Sequence, residues 1–178
     1  LDGSKTVTFN SNYPNNSLSA STATQTGTTS ATLASSTFAI TGYTLISWNE
    51  AALGDGISHS LTSSHDFLSD LTLYAQWSPT NYDVTFDPNY SGAPSIPNGS
   101  YTVVSPASRP TQPTRAGYTF VRWNSDVTDA TAGTRYASGG TFTVPAGNTI
   151  LYAIWALADI TITYDVNNGS GVTPGSVT

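Results

Sequence analysis

Short runs in which apolar and polar residues alternate recur along the whole chain. Residues 6–9 (TVTF), 83–86 (DVTF) and 160–164 (ITITY) carry β-branched or aromatic residues at every second position. A period of two predicts strands with one buried face and one solvent-facing side. Apolar spacing near 3.6 never persists over three turns, so the pattern predicts a mainly β protein. At most one short helix per repeat is expected, around 49–53 or 127–132.

Residues that favour turns separate these predicted strands. Glycine, proline and asparagine cluster at 12–16, 88–92 and 167–171, in each case directly after an alternating run. Such clusters are typical of hairpin tips and loops, because their residues tolerate or impose turn conformations. The stretch at 17–36 is rich in serine and threonine and corresponds to 93–113 further along. We therefore expect a strand and a long loop there rather than a disordered linker.

Two long motifs occur twice and in the same order. Residues 42–49 (GYTLISWN) return as 117–124 (GYTFVRWN), and residues 73–77 (LYAQW) return as 151–155 (LYAIW). Self-similarity at a fixed spacing indicates a module repeated in tandem. A duplicated unit of this kind is more typical of a spacer or a multivalent surface than of a catalytic centre.

The repeat divides the chain into three segments. We predict a first module at 1–78, a second module at 79–156, and the start of a third, incomplete repeat at 157–178. Each complete module is close to the lower size limit for an independent core. Connections of three or four residues indicate closely abutted modules. Because the third copy stops early, we expect the chain to be a fragment whose strand at 159–165 either pairs with a module edge or frays.

Composition and charge exclude several classes of function. The 178 residues carry a net charge of −6, with one lysine and four arginines. No basic stripe exists to neutralise phosphates, so neither nucleic acid nor an anionic membrane surface is an expected partner. Cysteine is absent, so the fold uses neither disulfides nor thiolate metal sites. No apolar run approaches the length needed for insertion into a membrane.

The paired motifs resemble a known family. Residues 117–123 followed by 151–155 are similar to the Listeria–Bacteroides repeat, the module found as B-repeats in internalin-type surface proteins. The first copy lacks the Gly-Thr-x-Tyr element that the second has at 133–136, and Ser47 and Arg122 replace the glycine that the family usually has before the first tryptophan. The resemblance implies small β-grasp-like modules in bacterial cell-surface or secreted proteins, acting as extracellular spacers or interaction modules without catalytic residues.

The repeated aromatic residues are expected to be structural. A tryptophan offers the largest single burial available to a small core, which favours a core role over a carbohydrate-stacking platform. Gly42 and Gly117 are expected to supply a turn conformation that other residues resist. Tyr13, Tyr90 and Tyr101 lie outside the motifs and are better candidates for exposed contacts, or they cap loops. The predicted structural residues are Tyr43, Trp48, Tyr74, Trp77, Tyr118, Trp123, Tyr152 and Trp155.

Candidate metal ligands are few. His59 and His65 have Asp55 and Asp66 nearby, but the second copy shows no counterpart. We interpret the histidines as solvated loop residues, because a metal site needs converging ligands and support around them. Residues 165–169 (DVNNG) resemble a calcium loop faintly, but they lack the closing bidentate glutamate and are predicted to form a turn. No metal or cofactor is expected.

Catalytic groups are equally sparse. Glu50 is the sole glutamate, and no paired carboxylates or nucleophile motif can be identified, so we predict that the chain is not an enzyme. Asp126 and Asp129, beside Asn124, are interpreted as turn residues. Lys5 is the sole lysine, which excludes a repeated lysine cross-link but leaves a single one at this position open.

These observations predict a non-enzymatic extracellular structural or stalk repeat that spaces or presents another domain of a bacterial cell-surface or secreted protein. Two alternatives stay open. One is an adhesin-type binding module for a glycan or host protein. The other is a fibre subunit that self-assembles through strand edges, which carry little charge to protect them. The expected partners are neighbouring repeats and, in the alternatives, a glycan, a host protein or other copies of the chain.

Overall fold

Strands dominate the structure of the chain. The computed structural model describes residues 3–34, 38–129, 133–137, 139–162 and 169. Nearly all of the regular structure in these residues is strand, which confirms the predicted mainly β class.

The regular elements are as follows. The first seven strands are β1 (Lys5–Asn10), β2 (Thr22–Gly27), β3 (Ala31–Thr32), β4 (Tyr43–Asn49), β5 (Ser58–His59), β6 (Ser64–His65) and β7 (Leu71–Pro79). The next seven are β8 (Asn81–Asp87), β9 (Gly99–Thr102), β10 (Ala107–Ser108), β11 (Tyr118–Asn124), β12 (Arg135–Ala137), β13 (Thr141–Phe142) and β14 (Thr149–Leu157). Within the described residues, the one helix is a short 3-10 turn at Pro14–Asn16.

The prediction of a short helix at 49–53 or 127–132 was wrong for the described residues. Asn49 ends a strand, and the residues after it, like 127–129, form turns. A buried asparagine explains the difference. Asn49 Oδ1 accepts the N–H of Ala51 at 2.9 Å, and Asn124 makes the equivalent contact. A side-chain acceptor of this kind competes with helix formation for the backbone donor.

Two five-stranded mixed sheets share one topology. The first has the order β2-β1-β7-β4-β5 and the second the order β9-β8-β14-β11-β12. In each sheet the central pair is parallel, β1 with β7 and β8 with β14. β2 pairs antiparallel with β1, and β4 pairs antiparallel with β7. In the second sheet, β11 pairs antiparallel with both β14 and β12. This order is compatible with a β-grasp-like module, which stays a prediction in its details.

The chain splits into two compact units. The first unit contains Leu1–Tyr82 with Thr102–Val104, and the second contains Asp83–Tyr101 with Ser105–Thr178. The module boundaries predicted from the repeat stay predictions. Of the strand predicted at 159–165, residues 159–161 have no regular structure, Ile162 is a single bridge residue, and 163–165 lie outside the described residues.

The two units bury corresponding residues. The first buries a tryptophan against a phenylalanine of its first strand, with Phe9 and Trp48 ring centroids 4.8 Å apart. The second repeats the pair, with Phe86 and Trp123 at 5.2 Å. Trp48 and Trp123 are 0% and 1% exposed, so each is the anchor of its own core. The other matched core residues are Val7, Leu73 and Ala75 in the first unit and Val84, Leu151 and Ala153 in the second.

A bulge occurs at the same place in β4 and β11. The register against the neighbouring strand skips Ile46 in the first unit and Val121 in the second. Ser47 and Arg122 follow directly and continue their strands. The absence of the family's usual glycine before the tryptophan therefore does not disturb the strand.

Candidate functional site

The second tryptophan of each motif ties the sheet to a loop. Trp77 and Trp155 are half-buried on β7 and β14. Each indole Nε1–H donates to a backbone carbonyl after the first strand, Ser11 O in one unit and Pro88 O in the other, both at 2.8 Å. Such a polar handle is what a tryptophan at the edge of a core uses. The four motif tyrosines are also half-buried: Tyr74 and Tyr152 on these two strands, and Tyr43 and Tyr118 on β4 and β11.

Tyr13 and Tyr90 cover these tryptophans. The Tyr13 ring stacks on Trp77 with centroids 5.8 Å apart, and the Tyr90 ring meets Trp155 edge-on at the same distance. The Tyr90 hydroxyl also donates to Thr114 O at 2.7 Å. Both tyrosines therefore cap their loops, which is the second of the two roles considered for them.

An asparagine in a left-handed conformation completes this junction, and the sequence analysis missed it. Asn12 and Asn89 have φ values of 42° and 60°, which asparagine tolerates better than most residues. Asn12 Nδ2 donates to Ala52 O and Ala75 O, both at 2.9 Å. Asn89 makes the equivalent pair of bonds in the second unit. The sequence signal that could have identified this role is an asparagine three residues after the phenylalanine of the first strand, Phe9 or Phe86, in both copies.

A second repeated asparagine is buried behind the core tryptophan. Asn49 is 3% exposed, and its side chain bonds the backbone of Ala51, Gly54 and Gly56 at 2.9–3.1 Å. In the second unit the buried Asn124 donates to Asp129 Oδ1 at 2.5 Å. The Trp-Asn pair at the end of each motif was visible in the sequence, but its role depends on loop atoms that come later in the chain.

Asp126 and Asp129 hold the turn after β11. Asp126 Oδ1 accepts the hydroxyl and the backbone N–H of Thr128, at 2.6 and 2.8 Å. Asp129 forms ion pairs with Arg122 at 3.3 Å and Arg135 at 3.4 Å. The interpretation of these aspartates as turn residues agrees with this geometry, and the two arginines add an ionic cluster that had not been anticipated.

The Asp126 contacts give a pH dependence. The hydrogen bond from the Thr128 hydroxyl, then that from its N–H, lowers the pKa of Asp126. Since the folded pKa is depressed, the stabilisation is present above the ordinary aspartate pKa of about 3.9 and is lost as pH falls through the folded value. We expect Thr128→Val to raise the Asp126 pKa in a carboxyl NMR titration, and an unchanged midpoint would contradict the assignment.

His59 and His65 are not solvated loop residues, so that interpretation was wrong. Both end short strands, β5 and β6, and both are half-buried. His59 Nε2 lies 2.9 Å from Glu50 Oε1. The His65 ring packs against the Phe67 ring, with centroids 4.9 Å apart. His59 does have a counterpart, because it pairs with Trp48 as Tyr136 pairs with Trp123. Residues 56–59 thus replace the Gly-Thr-x-Tyr element.

No cluster of ligands for a metal occurs in the residues that the structure describes. No three His, Asp or Glu side chains gather there in a metal-binding arrangement. Lys5 forms no ion pair in the same part of the chain, and the single cross-link left open at this position stays a prediction. None of the described helices has the length and apolar character needed to cross a bilayer.

The second unit has an open pocket beside Trp155. Its volume is about 280 Å³. Aromatic, cationic, acidic and aliphatic side chains meet there, among them Arg115, Tyr118, Val127, Asp129, Ile154 and Trp155. The Arg115 guanidinium carbon lies 3.7 Å from the centroid of the Tyr118 ring. This pocket is a candidate binding site.

Comparisons with known proteins agree with the repeat. The chain is 34% identical over 140 residues to a protein of Evansella cellulosilytica with the provisional name Gly-rich membrane protein, covering 74% of this chain and 16% of that protein. It is 34% identical over 112 residues to Internalin H of Listeria monocytogenes, covering 63% and 19% of the two chains. A provisionally named membrane protein of the Evansella species is 32% identical over 123 residues, covering 65% and 17%.

The chain thus spans less than a fifth of the length of these relatives. The profile of the Listeria-Bacteroides repeat domain matches residues 6–76 and again residues 82–154. These ranges contain the first tryptophan motif of each copy, all but the last residue of the second motif, and most of both five-stranded sheets. The resemblance noted from the motifs is confirmed, and the chain belongs to the Listeria–Bacteroides repeat domain family, with two copies of the repeat in tandem.

Proposed function

We propose that the chain is a non-enzymatic extracellular stalk segment that spaces or presents another domain of a longer bacterial surface protein. The family and the similarity to an internalin support a surface repeat. The motif residues support a structural role, since Trp48 and Trp123 form cores while Trp77 and Trp155 tie sheets to loops.

The observation that carries this proposal is the arrangement of the terminal strands. In each unit the first long strand and the last one are parallel neighbours in the centre of the sheet. Tension along the chain enters at the start of the first strand and leaves at the end of the last. Those points lie at opposite ends of the parallel pair, so tension loads the hydrogen bonds in shear. Bonds loaded in shear share the force, whereas bonds loaded in peeling break one after another.

Side chains reinforce both ends of this strand pair. At one end, Thr6 N–H donates to Asp70 Oδ1 at 2.8 Å, and Asp83 N–H donates to Asn148 Oδ1 at 3.0 Å. At the other end, the indole bonds of Trp77 and Trp155 reach the loops after β1 and β8. An element that must bear tension between its ends benefits from reinforcement at these positions.

A force measurement tests the proposal. The chain has no cysteine, so introduced thiols give unique attachment points. Handles on Gly3→Cys and Asn81→Cys load the β1–β7 pair in shear, whereas handles on Gly3→Cys and Ser69→Cys load it in peeling. All three positions are exposed. We expect a severalfold higher unfolding force for the shear attachment at the same pulling rate, because forced unfolding follows the unfolding rate.

Equal unfolding forces in the two directions would contradict a load-bearing role. Both attachments use the same folded chain, so a difference in equilibrium stability does not explain a difference in force. Thermal unfolding of each double-cysteine variant, with its thiols blocked, provides the control for intact folding.

A further inference from the structure

Among the positions that differ between the two units beside their capped tryptophans, one introduces a cation. Arg115 in the second unit stands where the first has Ile40. Arg115 O accepts the N–H of Tyr118 at 3.1 Å, and Ile40 O accepts the N–H of Tyr43 at 3.3 Å, so the backbone is equivalent. The surrounding aromatic residues occur in both units and serve both folds. The arginine is therefore an addition that the module does not need for folding.

Arg115 is also distinct from the other arginines. Its guanidinium carbon lies 3.7 Å from the Tyr118 ring centroid, 5.2 Å from that of Tyr90 and 6.0 Å from that of Trp155. In the described part of the chain this guanidinium forms no hydrogen bond and no ion pair. The remaining arginines are engaged there: Arg109 with three backbone carbonyls, and Arg122 and Arg135 with Asp129.

The environment of Arg115 favours an anion. Asp129 is the acidic residue of the pocket, and its charge is already shared between Arg122 and Arg135. A guanidinium placed over a ring keeps N–H groups available in its own plane, where the fork matches a carboxylate in two hydrogen bonds. Little side-chain entropy is lost when such a held group binds.

The rest of the pocket favours a ring attached to that anion. Val127 is 47% exposed, and the half-buried Trp155 lies on the same wall. Half-buried aromatic and aliphatic side chains pack against the apolar face of a compact ring. The volume of about 280 Å³ suits a small ligand rather than a large one.

We propose that this pocket binds an acidic sugar, with the carboxylate on Arg115 and the sugar ring against Trp155 and Val127. The site belongs to the second unit alone, because Ile40 provides no donors in the first. It adds glycan binding to a segment whose proposed role is mechanical, and neither proposal depends on the other.

The test uses the full chain of 178 residues and glucuronic acid as the probe. Binding is followed by the NMR signals of the four indole N–H groups. We expect a saturable shift of the Trp155 signal with glucuronate and none with glucose at equal concentration. Raising the salt concentration should weaken the binding of glucuronate, because an exposed charge pair is screened.

Two variants make the test specific. Arg115→Ile installs the residue that the first unit already accommodates, so the fold should persist. It should lower the affinity for glucuronate about tenfold or more, since a charge-assisted pair of bonds is lost. Lys5→Gln removes one positive charge from the first unit, and it should leave the affinity unchanged.

Several results would overturn the proposal. They are the absence of saturable binding, equal binding of glucose, and an Arg115→Ile variant that binds glucuronate as the parent does. Acetate binding as tightly as glucuronate would also overturn it, because the sugar ring would then contribute nothing. Stronger binding of a short peptide through its C-terminal carboxylate would assign the pocket to a protein ligand instead.

Discussion

Replacing Trp48 with alanine is expected to remove much of the stability of the first unit. Trp48 is fully buried and packs against Phe9 and Phe38. Removing a buried aromatic side chain from a core costs about 3–5 kcal/mol. A unit of this size is stabilised by about 4–11 kcal/mol at the usual value per residue, so the change removes much of its stability. Urea unfolding, followed by the indole NMR signal of Trp77, measures the effect in the first unit.

The control is Trp48→Phe. Trp48 Nε1 is buried without a hydrogen-bond partner in the described structure. Phenylalanine keeps most of the ring contacts and removes that unsatisfied donor, so its cost should be about 1 kcal/mol. Equal destabilisation by the alanine and phenylalanine variants would show that ring packing is not what Trp48 contributes.

Replacing Asn49 with leucine is expected to cost about 3 kcal/mol, even though leucine is similar in size and more apolar. The substitution leaves the N–H groups of Ala51 and Gly56 and the carbonyls of Gly54 and Gly56 without their present partner. Unsatisfied buried polar groups cost about 1–3 kcal/mol each, although some will find water. Chemical denaturation of the variant against the parent measures the loss.

Asn81→Leu is the matched control, because Asn81 is exposed. A substitution at such a surface position should change stability by no more than about 0.5 kcal/mol. If Asn49→Leu were as mild as Asn81→Leu, the loop after β4 would not depend on the buried amide.

Gly56 shows how tightly this loop is built. A Cβ added there would lie 2.8 Å from Asn49 Oδ1 and 2.9 Å from Ala51 N. Gly133 approaches Asn124 in the same way in the second unit. Both units have a glycine at this position, although the residues that follow it differ. Residues 56–59 are therefore the structural counterpart of the Gly-Thr-x-Tyr element at 133–136, despite their different sequence.

The strands and the repeat were predictable from the sequence because both are local signals. A period of two identified β1 and β8, and the two tryptophan motifs identified the tandem repeat. Gly42 and Gly117 have φ values of 84° and 75°, as expected for a turn closed to most residues. The absence of the suggested short helices was not predictable in this way. A side-chain acceptor at Asn49 or Asn124 competes for the backbone donor and outweighs a weak helix propensity.

By itself, then, the sequence determined the class of fold, the duplication and which tryptophans matter, since alternation and repetition are read along the chain. Only the tertiary structure decided what those residues contact. Trp77 finds its acceptor 66 positions away, and Asn12 finds one of its acceptors 63 positions away. The partners of His59 and the open donors of Arg115 likewise depend on which strands the sheet brings together. Hydrogen bonds between distant segments follow from topology, and no local pattern of residues encodes them.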